Sequence, residues 1–151
     1  MPVRRLLRIP VALCALALLT LLNGAPVSAQ DKSLYERLGR YDAIAAVVDD
    51  FIGRLLNDPK FTRFFSGHST DSKGRIRQLI VEQLCQATGG PCVYLGRSMK
   101  ASHAGLGITE ADWQLTVNHL NASLDRFKVP EKEKSEVLTA LTGLKGDMVE
   151  R

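Results

Sequence analysis

Apolar residues in this chain return every three or four positions, and no stretch alternates strongly between apolar and polar. A helix repeats every 3.6 residues and a strand every two, so the pattern confines the chain to an all-α fold. Ile44, Val47, Val48, Phe51, Leu55 and Leu56 predict a helix running from Asp42 and stopping before Asn57-Asp58-Pro59. Ile76, Leu79, Ile80, Leu84 and Ala87 predict another, ended by Thr88-Gly89-Gly90-Pro91. Trp113, Val117, Leu120, Leu124 and Phe127 stripe a further helix opened by Thr109 and Asp112. After Val129-Pro130, the residues Val137, Leu141, Leu144 and Met148 stripe the last one. Ser33-Leu34-Tyr35-Glu36 is a capping-box pattern and predicts a short first helix ending near Gly39. Ser66 to Lys73 reads as a polar loop, and Cys92 to Gly107 as a loop with one helical turn around Met99 to Ala104.

Residues 1–29 obey different rules. A basic start (Arg4, Arg5, Arg8) precedes an apolar run from Val11 to Leu22 and a small-residue stretch ending Val27-Ser28-Ala29. This is the layout of a secretory signal peptide cleaved after Ala29, leaving residues 30–151 as one domain in a periplasmic or extracellular setting. The alternative is an uncleaved anchor, but its run of about twelve residues falls short of the roughly 20 that span a bilayer. No stable membrane insertion is therefore expected after cleavage. Cys14 sits inside the apolar run, where a lipidated cysteine would have to end it. The leader also accounts for most of the net charge of +4, since without its three arginines 17 basic residues face 16 acidic ones. A nucleic-acid partner is not indicated. Cys85 and Cys92 remain, either as a disulfide closing a short loop around Gly89-Gly90-Pro91 or as two buried thiols. They are too few for a zinc site.

The helices hold no Gly-rich phosphate loop, no paired-carboxylate signature and no Ser/His/Asp set. Two features remain. Four of the five phenylalanines, Phe51, Phe61, Phe64 and Phe65, fall within fifteen positions, as walls for something large and flat would. Of the three histidines, His68 belongs to a polar loop and His119 lies off the main stripe of its helix, at the surface or rim. His103 differs, lying between Ala101-Ser102 and Ala104-Gly105, small neighbours that let a flat cofactor approach the backbone. Its spacing alone fits either a metal ligand or an ordinary half-buried histidine.

The string from Leu84 to Thr109, with Gly89-Gly90-Pro91, Tyr94, Gly96-Arg97, Met99-Lys100, His103 and Gly107-Ile108-Thr109, resembles the proximal half of a group I truncated haemoglobin. The likeness extends back through Phe64-Phe65, Asp50-Phe51 and Tyr35-Glu36-Arg37-Leu38-Gly39, and forward through Trp113 and Val129-Pro130. It implies a two-over-two helical sandwich around haem b, with His103 as axial iron ligand and Phe65, beside Phe64, packed on the porphyrin. An imidazole whose second nitrogen bonds to backbone would then set the electronics of the iron. Tyr94 and Met99 would line the proximal side. Arg77 and Arg97, with Arg75 and Lys100, would face the haem propionates, or else form a solvated rim.

Two departures from the family pattern stand out. A glycine pair between the first helices is broken by Arg40 after Gly39, so that turn is expected to differ. Where many members carry tyrosine after the residue matching Phe51, this chain has Ile52, and Ile76, Leu79 and Ile80 occupy the iron-facing register of the next long helix. The resemblance thus implies an almost wholly apolar distal side. Thr116 is the nearest polar residue, with Gln78 and Gln83 one helical step away and His68 a remote sixth ligand. Without a hydrogen-bond donor, O2 should leave fast or the iron oxidise easily, while CO and NO still bind. Reversible binding of O2, NO or CO is the leading function. The rivals are an NO dioxygenase or peroxidase-like enzyme, which needs an outside redox partner because the chain has no flavin or nicotinamide domain, and a haem-free helical interaction module.

Overall fold

The computed structural model describes residues 32–151, so the expected leader, Cys14 included, lies outside the described residues. Among the described residues every regular element is helical, as the periodicity requires, and no helix is long and apolar enough to cross a membrane. Ser33 and Glu36 close the expected capping box over α1 (Leu34–Arg37). The chain then turns through two left-handed residues, Gly39 (φ 94°) and Arg40 (φ 68°), into α2 (Arg40–Asn57). This long helix starts two residues before the position that the apolar spacing predicts. Asp58 caps a single 3-10 turn, Pro59–Phe61, that leads into α3 (Thr62–Phe65).

The next helix, α4 (Thr70–Ala87), corrects the loop expected over Ser66 to Lys73. Ser69 supplies the cap, its hydroxyl accepting the Ser72 N–H at 3.1 Å, so a polar first turn is helical without contributing any apolar stripe to read. Helix α5 (Met99–His103) comes after an irregular stretch, and α6 (Glu110–Arg126) opens with a second capping box made by Thr109 and Asp112. The predicted last helix is in fact two, α7 (Glu131–Thr142) and α8 (Lys145–Met148). The apolar spacing runs on across the break, but Gly143 ends α7 and the Leu144 N–H turns back to the Leu141 carbonyl at 2.9 Å.

Helix α2 is the centre. It packs against both α4 and α6, and α6 packs against α7. The core is built from Ile44, Val48, Phe51, Ile52 and Leu55 of α2 with Val81 of α4, Leu120 and Leu124 of α6 and Val137 of α7. This is the pair-on-pair arrangement that the resemblance implies. The open alternative for the cysteines closes in favour of the bond: Cys85, wholly buried on α4, is joined to Cys92 in the loop after it. Gly90 is required there, because a Cβ at that position would fall 2.7 Å from the Cys85 sulfur and 2.6 Å from the Tyr35 ring.

Candidate functional site

His103 is the last residue of α5, a one-turn helix that Ser98 caps by accepting the Ala101 N–H. The turn places its imidazole back over the preceding backbone, where Nδ1 lies 2.8 Å from the Met99 carbonyl oxygen. A carbonyl can only accept, so Nδ1 carries the proton and Nε2 keeps its lone pair. The Ser102 hydroxyl sits 3.2 Å from the same Nδ1. Among the described residues nothing hydrogen-bonds Nε2, and the ring is half-buried. One imidazole with a fixed tautomer is the donor set for a metal already chelated by something else. No three His, Cys, Asp or Glu among the described residues gather as a protein-only metal site would require. The donors present therefore fit haem iron.

The phenylalanine group divides. Phe51 and Phe61 are core residues, 7% and 5% exposed, whereas Phe64 and Phe65 are half-buried against that core. Phe61 touches Phe64 with ring centroids 5.9 Å apart and meets the His119 ring at 5.7 Å. Ile52 is a core residue at 7% exposure with half-buried Ile80 of α4 packed against that core, and Ile76 and Leu79 of the same helix are half-buried. Met99 and Tyr94 are half-buried too. Tyr94 is folded into its own loop: its N–H donates to Gln86 at 2.6 Å and its hydroxyl to the Arg97 carbonyl at 2.7 Å. Burial raises its pKa above the ordinary tyrosine value.

Two of the polar residues near this register are committed elsewhere, while Gln83 is half-buried and makes no side-chain hydrogen bond among the described residues. Thr116 donates its hydroxyl to the Asp112 carbonyl one turn back at 2.8 Å, and the Gln78 amide donates to Tyr41 and Glu82, each at 3.0 Å. His68 is exposed. His119, expected at the rim, is half-buried and sits 2.7 Å from Asp58, a partner 61 positions away that spacing could not supply. Arg77 spends Nε and Nη2 on Asp49 of α2 at 2.7 and 2.8 Å, so a propionate would have to compete for it. Arg97 is exposed and forms no ion pair among the described residues.

An apolar cleft of about 120 Å³ lies between Leu38, Ile44, Leu84, Leu124, Val129 and Val137. None of the sequence-predicted site residues lines it, and it is too small for a porphyrin. Sequence reasoning missed two residues around His103, Arg63 and Glu150, which bind the segment after it. Neither belongs to a motif.

A family model described as bacterial-like globin matches residues 33–150. A group 1 truncated haemoglobin of Mycolicibacterium paratuberculosis is 36% identical over 116 residues, which cover 77% of this chain and 83% of that protein. Another, from a Nostoc species, is 29% identical over 119 residues, 79% of this chain and 98% of that one. Among solved structures, the Fe(III) truncated haemoglobin of Tetrahymena pyriformis superposes with a TM-score of 0.72 at 25% identity, over 80% of this chain and 100% of that chain. The cyanomet 2/2 haemoglobin of a Synechococcus species gives 0.71 at 28% identity, with the same coverage. With these likenesses spanning nearly all the described residues of an all-helical fold, the chain belongs to the bacterial-like globins, among the group 1 truncated haemoglobins.

Proposed function

We propose that this globin binds diatomic gases reversibly at haem b held by His103, on a pocket whose far side offers no hydrogen-bond donor. The observation that carries the proposal is the Nδ1 to Met99 carbonyl bond, which leaves Nε2 as a basic, oriented ligand. Haem, when bound, supplies an iron that takes O2, CO or NO. The chain's own residues do the rest. Phe64 and Phe65 would offer aromatic faces to the porphyrin, with Met99 and Tyr94 as further lining. Ile52, Ile76, Leu79 and Ile80 would keep water from the gas-binding side, and Arg97, free of the Asp49 pairing that occupies Arg77, would meet a propionate. The commitments of Thr116 and Gln78 to their own neighbours support the apolar distal reading.

Absorption spectra of the ferric, ferrous and ferrous-CO forms test the proposal together with His103→Ala. A Soret band that survives dialysis in the wild type and is lost in the variant is the expected result. A band that persists in His103→Ala would overturn the ligand assignment. Stopped-flow dissociation should show O2 leaving fast, and a very slow rate would reveal a donor on the distal side after all.

The Cys85–Cys92 disulfide supports an exported protein, since such bonds persist in oxidising compartments. N-terminal sequencing of the protein recovered from the periplasm or medium should begin at Gln30; recovery of the full-length chain from membranes would favour the anchor. An external reductase is the redox partner this chain would need to cycle its iron.

A further inference from the structure

A five-residue helix cannot hold itself in place, and His103 is the last residue of one. Beyond it the chain is irregular and passes through two left-handed glycines, Gly105 and Gly107. This segment is gripped from two sides by residues far away in sequence. On one side, the Glu150 carboxylate accepts the Gly105 N–H at 2.5 Å on one oxygen and the Gly107 N–H at 2.6 Å on the other. With the opposite polarity, the Arg63 guanidinium donates to the Leu106 carbonyl at 3.2 Å, reaches the Gly107 carbonyl at 3.5 Å and pairs with Asp112 at 2.6 Å. That same guanidinium lies 4.0 Å over the Phe64 ring.

An anion thus binds the donors of the segment and a cation its acceptors. The backbone adds three ties, the Glu150 and Arg151 N–H groups to the Ile108 carbonyl at 2.9 and 3.3 Å and the Glu110 N–H to the Arg151 carbonyl at 3.0 Å. Among the described residues, Glu150 is the only carboxylate that takes backbone N–H groups from a distant stretch of chain; Glu36, Asp58 and Asp112 do so only within their own caps. Helix α8 has attachments apart from that side chain, since it packs against α5 and Lys145 pairs with Glu110 of α6 at 2.8 Å.

We propose that Glu150, opposed by Arg63, is a positioning residue for the iron ligand. It fixes the exit of α5, so that the His103 ring keeps one direction and Nε2 one position. The proposal rests on the reading of His103 as ligand. Partners that orient a metal-binding histidine matter for affinity, although they never touch the metal.

The test uses full-length haem-loaded protein as wild type, Glu150→Ala, Glu150→Gln and Lys145→Ala. Three quantities are read: the iron–histidine stretching band of the ferrous form by resonance Raman, the rate of haem transfer to excess apomyoglobin, and amide hydrogen exchange at Gly105 and Gly107. Glu150→Ala should broaden and shift the band, speed haem loss about tenfold and expose both amides. Glu150→Gln keeps one acceptor oxygen and should fall between; it also serves if the alanine variant folds poorly. Lys145→Ala removes an exposed ion pair of α8, leaves both clamp residues in place and should match wild type. The proposal is overturned if Glu150→Ala exposes the amides while band and haem loss stay unchanged, or if Lys145→Ala moves them equally. A wild type that holds no haem would instead sink the ligand reading, and this one with it, so the two failures are told apart.

Discussion

Arg40 occupies left-handed backbone at φ 68° directly after Gly39 at φ 94°, so the turn between α1 and α2 keeps a glycine-like path with one glycine missing. A side chain there costs about 1–2 kcal/mol, but a glycine loses more freedom on folding, so the two effects oppose each other. Arg40→Gly should therefore change stability by less than about 1 kcal/mol. Gly39→Ala has no such offset, because its new Cβ would also lie 3.0 Å from the Ala43 Cβ, and it should cost about 1–2 kcal/mol in urea denaturation. The broken glycine pair was visible in the sequence, but the persistence of the turn was not, since strain at one residue is decided by everything packed around it. His103 could be singled out by its small neighbours and the motif around it. Asp58 as the partner of His119 could not, because a contact across 61 positions leaves no local trace.

At the scale of elements, the apolar stripes were legible wherever a helix buries one face, and boundaries failed where capping rather than burial decides. The first turn of α4 carries no large apolar residue, and the division of α7 from α8 lies inside an unbroken stripe. Helix α1 has four residues and is held from outside: Arg37 bridges to Glu133 and Glu136 of α7, each at 2.5 Å, and the Tyr35 N–H donates to the Thr88 carbonyl at 2.8 Å. In Arg37→Ala, amide exchange should rise first in α1 and spare α2, which hydrogen-exchange mass spectrometry would show. The Cys85–Cys92 bond closes a short loop, so its removal in the Cys85→Ala/Cys92→Ala double variant should cost about 2–3 kcal/mol in the chain-entropy account. A reductant should then destabilise the wild type and leave the double variant unaffected.

For the molecule as a whole, four aspartates on four different contacts share one direction of shift. Asp49 is held below the usual carboxylate range by Arg77, and Asp58 by the Lys60 N–H and then by His119. Asp50 and Asp112 are pushed up by burial, but hydrogen bonds led by those from Arg54 and Thr109 outweigh this and hold both low. A carboxylate with a lowered folded pKa stabilises above its unfolded value, near 3.9, and that contribution disappears as pH falls through the folded value. Urea midpoints should thus be flat above about pH 5 and fall steeply below about pH 4. A decline beginning near pH 6 would count against this account. The fold class was legible because burial leaves a period, and His103 stood out because a motif surrounds it; the clamp on residues 105–107 left no mark, being made from side chains brought together only by the finished fold. That clamp also sets a clock. Glu150 is synthesised 45 residues after Gly105, which at roughly 5–20 residues per second is a delay of several seconds. Throughout that interval the segment behind His103 lacks its anionic anchor, so its two left-handed turns are fixed late in folding.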